Sequence, residues 1–79
     1  MRVATWADIR PGAAIRSRQG YVYRIQSVHP AKPHPADMVE SLDHARATSP
    51  GCIGGFYIWR ESVDEGRYTL ETDETEVQP

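Results

Sequence analysis

Three histidines and the single cysteine are the residues of this chain best suited to hold a metal ion. His29, His34, His44 and Cys52 fall within one stretch of the sequence. Structural zinc sites combine close ligand pairs on turns, such as two cysteines separated by two other residues or two histidines separated by three to five. Only His29 and His34 have such a spacing, and prolines flank both. We therefore expect no metal and no cofactor, and interpret the histidines as solvent-exposed loop residues.

The strongest catalytic candidate is a nucleophile–base pair of Cys52 and His44. Nothing around Cys52 resembles a nucleophile elbow or an oxyanion-binding turn. The acids of residues 71–76 are typical of a solvated charge run, and the glycines of residues 51–55 lack the lysine and helix of a phosphate-binding loop. We therefore predict a protein that is not an enzyme, with Cys52 a small half-buried residue and not a reactive thiol.

Aromatic and arginine residues are the better candidates for function, because they alternate along two stretches of the chain. Tyrosine, tryptophan and arginine are the side chains that contribute most at protein interfaces. The same rings and cations can stack on the bases of a single-stranded nucleic acid. The candidate binding residues are Tyr21, Tyr23, Arg24, Tyr57, Trp59 and Arg60.

Three interpretations of these residues stay open. A protein partner or a second copy of the chain is the leading one, since it needs no positive charge. Nucleic acid is the alternative, although the net charge of −2 counts against it, because nucleic-acid binding favours a basic surface. In the third, most rings are simply core, since the chain has few other large apolar side chains.

Length and composition limit the class of protein. Seventy-nine residues allow one domain, residues 1–79, with a thin core. No apolar run approaches the ~20 residues that cross a bilayer, and the first residues lack the apolar segment of a signal peptide. A lone cysteine fits a reducing compartment. We expect a cytoplasmic protein that does not bind membranes.

Charge is distributed unevenly along the chain. Six basic residues and two acids precede Glu40, whereas three basic residues and nine acids lie from Glu40 onward. The simpler interpretation is that the two halves pair as neighbouring strands of one sheet. The alternative is a bipolar surface that steers charged partners.

Two stretches rich in β-branched and aromatic residues, 21–28 and 56–60, predict the central antiparallel pair of a small sheet. Val28 is out of phase with the alternation before it, which predicts a bulge in the first strand. Thr5 and Asp8 have the spacing of a helix-capping pair on a single turn, from which Trp6 and Ile9 would plug one end of the core. Residues 13–16 and 17–20 predict a short strand and a hairpin turn.

The region between the two aromatic strands predicts a long loop. Three prolines in residues 29–35 exclude helix and sheet there. Residues 36–46 have a weak helical pattern, and either a short helix or two extended pieces would fit. Residues 61–66 predict a polar turn, residues 67–71 its antiparallel return strand, and residues 73–77 a tight turn with a short last strand.

This order of elements resembles the small Src-homology-3-like barrels, such as the KOW, Tudor and chromo-barrel modules. The matching features are the turn at residues 8–12, the strands at 21–28 and 56–60, and the closing segment at 73–77. The resemblance implies a mostly β fold, a small antiparallel barrel with a long central loop. Eight arginines to one lysine also resemble the composition of accessory proteins of phages and high-GC bacteria. We predict a non-enzymatic protein-interaction module.

Overall fold

The computed structural model describes residues 2–71, which form one antiparallel sheet of six strands in the order β1-β6-β2-β3-β4-β5. The elements are β1 (Arg2–Val3), a 3-10 turn (Trp6–Asp8), β2 (Ala14–Ser17), β3 (Val22–His29), a second 3-10 turn (Val39–Ser41), β4 (His44–Thr48), β5 (Phe56–Trp59), helix α1 (Arg60–Asp64) and β6 (Tyr68–Leu70). The prediction of a mostly β fold is confirmed. In this part of the chain the sheet is open, with β1 and β5 as its edges.

The predicted N-terminal turn is present and begins after Thr5. The Asp8 carboxylate accepts a hydrogen bond from the Thr5 backbone N–H at 2.8 Å and two from the Arg2 guanidinium at 2.7 and 2.8 Å. These hydrogen bonds hold the pKa of Asp8 well below its usual range, and those from Arg2 contribute most. Ile9 is buried and Trp6 packs against the core, as predicted.

The short strand predicted at residues 13–16, the hairpin turn after it and the bulge predicted in the strand at residues 21–28 are also present. β2 and β3 pair as a hairpin across a turn that ends at Gly20, whose φ of 97° suits glycine. The pairing of β3 with β4 shifts register between Ile25 and Ser27. The extra residue, Gln26, returns Val28 to the core side, where it packs against buried residues.

The predicted pairing of the two aromatic strands is wrong, because β4 lies between them. β4 pairs with β3 on one side and with β5 on the other. Its sequence alternates polar residues with Ala45 and Ala47, which are fully buried. Residues 36–46 therefore form no α-helix. They contain one 3-10 turn and the start of β4, which is nearer to the alternative of extended pieces, and the long central loop contains a strand. Residues 30–38 are exposed and contain no regular element, as the prolines predict.

The predicted polar turn after the second aromatic strand is wrong as well. Arg60–Asp64 forms α1, which buries Val63 in the core. The following strand β6 pairs with β1 and β2 instead of returning along β5. After α1 the chain continues into β6, which lies between β1 and β2. The hairpin predicted between the second aromatic strand and its return strand therefore does not form, and β5 remains at an edge within residues 2–71.

One cluster of small and branched apolar residues forms the core. It contains Ala4, Ile9, Ile15, Ile25, Ala45, Ala47, Ile58, Val63 and Leu70. Tyr23 and Tyr68 pack against this cluster. The ring of Tyr23 meets those of Phe56 and Tyr68 edge to face, with centroids 5.2 and 6.3 Å apart. Burial raises the pKa of Tyr68.

Within residues 2–71, two ion pairs join the basic and acidic parts of the sequence. Arg16 on β2 contacts Glu71 at 2.9 Å, and Lys32 contacts Glu40 at 3.0 Å. Pairing between the two parts of the chain is thus observed. The segment at residues 73–77 lies outside the described residues. Within residues 2–71, no helix is long and apolar enough to cross a membrane.

Candidate binding surface

The face of β3, β4 and β5 that points away from the core carries polar and aromatic side chains. We call this the outer face. It follows from strand alternation, since Ile25, Ala45 and Ile58 point into the core. The side chains on the outer face include Arg24, Ser27, His29, His44, Arg46, Thr48, Tyr57 and Trp59.

Four rings on the outer face lie against one another. The imidazoles of His29 and His44 stack with centroids 5.1 Å apart, and the rings of Tyr57 and Trp59 stack at 5.4 Å. His44 joins the two pairs, at 5.7 Å from Tyr57 and 5.9 Å from Trp59. The four rings form a continuous aromatic platform whose position is fixed by three paired strands.

Hydrogen bonds orient the two imidazoles. Nδ1 of His44 lies 2.8 Å from the Leu42 carbonyl oxygen, so this nitrogen carries the proton and donates. Nε2 of His29 lies 2.8 Å from the hydroxyl of Ser27 on the same strand. His44 is buried, and Tyr57 is the most exposed of the four rings, at 46%.

Two arginines give this face a positive character. The Arg46 guanidinium lies 5.8 Å from the centre of the Tyr57 ring, within cation–π range. Arg24 donates to the Gly12 carbonyl at 2.9 Å. No carboxylate within residues 2–71 pairs with either arginine. Glu40 and Asp43 approach the His44 end of the platform, but Lys32 and Arg60 pair with them.

The outward edge of β5 is an unpaired sheet edge within the described residues. The Arg60 N–H donates to the Asp43 carbonyl at 3.1 Å, at the end of the β4–β5 ladder. Because antiparallel pairs alternate, Phe56 and Ile58 then direct their backbone groups toward β4. The N–H and C=O of Tyr57 and the N–H of Trp59 consequently point outward. The Trp59 carbonyl is engaged, since Trp59 is the N-cap residue of α1.

A groove of about 650 Å³ continues from this edge along α1. It is lined by Leu42, Asp43, Trp59, Arg60, Glu61, Ser62, Asp64 and Glu65. Arg60 bridges Asp43 at 3.0 Å and Asp64 at 3.4 Å, so its charge is balanced within the groove. Hydrogen bonds from the Ala31 N–H and from Arg60 lower the pKa of Asp43.

The structure brings together only some of the predicted binding residues. Tyr57 and Trp59 lie side by side on the outer face, with Arg60 immediately after them. Ile58 is buried and Phe56 contacts Tyr23, so this side of the strand faces the core. Tyr23 lies on the core side of β3, and Tyr21 is 60% exposed at the opposite end of that strand from His29. Arg24 shares the outer face.

His44 and Arg46 belong to this surface and were not among the predicted residues. The signal that could have found them is the alternation of His44, Arg46 and Thr48 with two alanines, a period-two pattern typical of a half-buried strand. Alanine is depleted in strands, and this made the segment look helical.

The four metal-ligand candidates do not all come together. His29 and His44 stack on strands β3 and β4, and His44 is buried, so the prediction of solvent-exposed loop histidines is wrong for these two. His34 and Cys52 are both exposed, so the half-buried position predicted for Cys52 is wrong. In residues 2–71, no three His, Cys, Asp or Glu side chains are grouped in a way that could hold a metal ion. Comparison of the chain with protein-family models, with curated proteins and with solved structures finds no match.

Proposed function

We propose that this protein is a non-enzymatic protein-interaction module that binds an extended segment by strand addition at β5. The single observation that carries this proposal is that β5, an edge strand within residues 2–71, contains no charged residue and carries the stacked rings of Tyr57 and Trp59. Its unpaired backbone groups can bond to an incoming strand, which is how several peptide-binding domains recognise their ligands. Exposed apolar edge strands are otherwise avoided in proteins, because they pair with other chains.

Affinity and specificity would come from different groups. The outward N–H and C=O of Tyr57 and the N–H of Trp59 would supply main-chain hydrogen bonds, and alternate side chains of the ligand would lie on the rings. Trp59 and Tyr57 are the anchors, because large aromatic side chains dominate interface energies. Arg46 flanks them, whereas Arg60 positions the groove through its two carboxylate partners.

Selection from a library of displayed random peptides tests this function. We expect peptides selected on the wild-type chain to lose at least about thirtyfold in affinity for Tyr57→Lys, since an edge lysine opposes strand pairing and an anchor is lost. Tyr21→Lys is the matched control, because Tyr21 is a similarly exposed tyrosine that lies immediately before β3. Selected peptides that bind both variants as well as wild type would contradict the proposal.

Single-stranded nucleic acid is the second candidate, favoured by Arg24 and Arg46 on a face whose own side chains include no acid. Bases would stack on Tyr57 and Trp59 while the arginines contact phosphates. Titration with oligonucleotides at rising salt separates the two functions, because phosphate contacts weaken steeply with salt.

The resemblance to small Src-homology-3-like barrels remains part of this proposal. Six antiparallel strands and the bulge in β3 support it, whereas closure of the sheet is not seen in residues 2–71. An origin among accessory proteins of phages or high-GC bacteria likewise remains a prediction from the arginine-rich composition.

A further inference from the structure

We propose that the extended segment bound at β5 is β5 of a second copy of this chain, in an antiparallel pair whose twofold axis passes beside Tyr57. This inference rests on the proposed function and specifies its partner. It would join two six-stranded sheets into one, and it would use the same surface on both molecules, as twofold interfaces do.

The outward backbone groups determine which register is possible. Tyr57 directs both its N–H and its C=O outward, so two copies of Tyr57 placed opposite each other can exchange both hydrogen bonds. Centring the pair on Ile58 would instead require the Trp59 carbonyl, which α1 already uses. When the pair is centred on Tyr57, the Trp59 carbonyl keeps its hydrogen bond within α1. The Trp59 N–H then points at the Gly55 carbonyl of the second copy.

The side chains are complementary in this register. Trp59 lies opposite Gly55 of the second copy, and Gly55 has no side chain to meet the indole. The chain at Gly55 is not left-handed, unlike Gly54 with a φ of 92°, so Gly55 can extend the strand. On the other face, Phe56 lies opposite Ile58 of the second copy, which pairs two apolar side chains.

Charge favours the same arrangement. Nη2 of Arg46 lies 3.8 Å from the position that a Cβ atom at Gly55 would occupy. An indole placed over Gly55 would therefore lie beside a guanidinium that no carboxylate in residues 2–71 pairs with, and this is a favourable cation–π geometry. Because β5 contains no charged residue, the pairing sets no like charges opposite each other.

Sedimentation of the full chain over about a hundredfold range of concentration, at low and high salt, tests the inference. We expect a reversible dimer that survives both high salt and the substitution Cys52→Ser, which excludes a disulfide. Tyr57→Lys should weaken dimerisation at least about thirtyfold, and the matched variant Tyr21→Lys should not. A monomer at every concentration, or a dimer indifferent to Tyr57→Lys, would overturn the inference.

A substitution at Gly55 tests the register. A Cβ atom there would make only ordinary contacts, 3.7 Å from the Ala47 carbonyl oxygen and 3.8 Å from Arg46, so Gly55→Val should leave the monomer folded. It should weaken the dimer at least about tenfold by displacing the indole of the second copy. Circular dichroism confirms folding, and an unchanged dimer would rule out this register.

Peptide binding distinguishes failure of the inference from failure of the proposed function. A monomeric chain that binds displayed peptides and loses them in Tyr57→Lys overturns the second copy as partner and retains strand addition. A monomeric chain that selects no peptide dependent on Tyr57 contradicts both.

Discussion

The two edges of the sheet differ in length, charge and neighbours. β1 has two residues, and one of them, Arg2, binds the Asp8 carboxylate. β5 has four residues, all aromatic or aliphatic, and its outward side meets no other strand in residues 2–71. Short strands and charged residues are the usual protection of sheet edges against pairing. Within residues 2–71, β1 has this protection, whereas β5 is longer and contains no charged residue.

The largest effect on stability is expected from the residue of β5 that faces the core. Ile58 is 1% exposed, so Ile58→Ala should lower the free energy of unfolding by about 2–5 kcal/mol. Tyr57→Ala, one position away on the outer face, should cost less than about 1 kcal/mol. Urea denaturation measures both. Equal losses would show that the Tyr57 ring is core and not a contact residue.

Adding a lysine to each edge compares the two edges as binding sites. Tyr57→Lys should reduce affinity for strand-adding ligands at least about thirtyfold, corresponding to about 2 kcal/mol. Val3→Lys, at a residue of β1 that is 53% exposed, should change affinity less than about twofold. Competition binding with one selected peptide measures both, and similar losses at the two edges would contradict the assignment of the site to β5.

Of the two edges of the sheet, the one at β1 should be destabilised by acid, because Arg2 of β1 binds the Asp8 carboxylate. The pKa of Asp8 is lowered by Arg2 and the Thr5 N–H, so its stabilising effect is complete above the unfolded-state pKa of about 3.9 and is lost as the pH falls through the lower folded-state pKa. Asp8→Asn should cost about 1–2 kcal/mol at neutral pH. It should also flatten the decline in stability below about pH 4. An unchanged decline would show that Asp8 does not stabilise the turn through its charge.

The smallest expected effect is that of salt on binding at β5. Main-chain hydrogen bonds and aromatic contacts are screened little, so the affinity for a neutral peptide should change less than about threefold between low and high salt. An oligonucleotide that binds at low salt and loses several hundredfold or more in affinity over the same range would instead support the nucleic-acid candidate. Isothermal titration at several salt concentrations makes the comparison.

Local patterns predicted the first half of the chain well. The capping pair Thr5–Asp8, the hairpin closing at Gly20 and the bulge before Val28 depend on residues a few positions apart, and each is present. The choice of face for Tyr57 and Trp59 could not be made from the sequence, since both faces of that strand are aromatic.

The errors concern pairings between distant segments. The sequence leaves helix and extended pieces open for the segment that contains β4, because Ala45 and Ala47 are poor strand formers and their small size is explained only by the close packing of a central strand. The segment after Trp59 was interpreted as a turn because its only apolar residue, Val63, cannot show a helical period. These two elements decide which strand lies at the edge, and so the location of the site was not predictable.

Hydrogen exchange of the Tyr57 amide, measured by NMR beside that of Ile58, tests most directly whether β5 is an open edge that takes up a strand. In dilute protein the Ile58 N–H, which is bonded to β4, should be protected, while the outward Tyr57 N–H exchanges rapidly. Protection of Tyr57 should then appear on raising the concentration or on adding a selected peptide. A Tyr57 amide that is protected even in the dilute monomer would contradict an open edge, and one that no ligand protects would contradict strand addition.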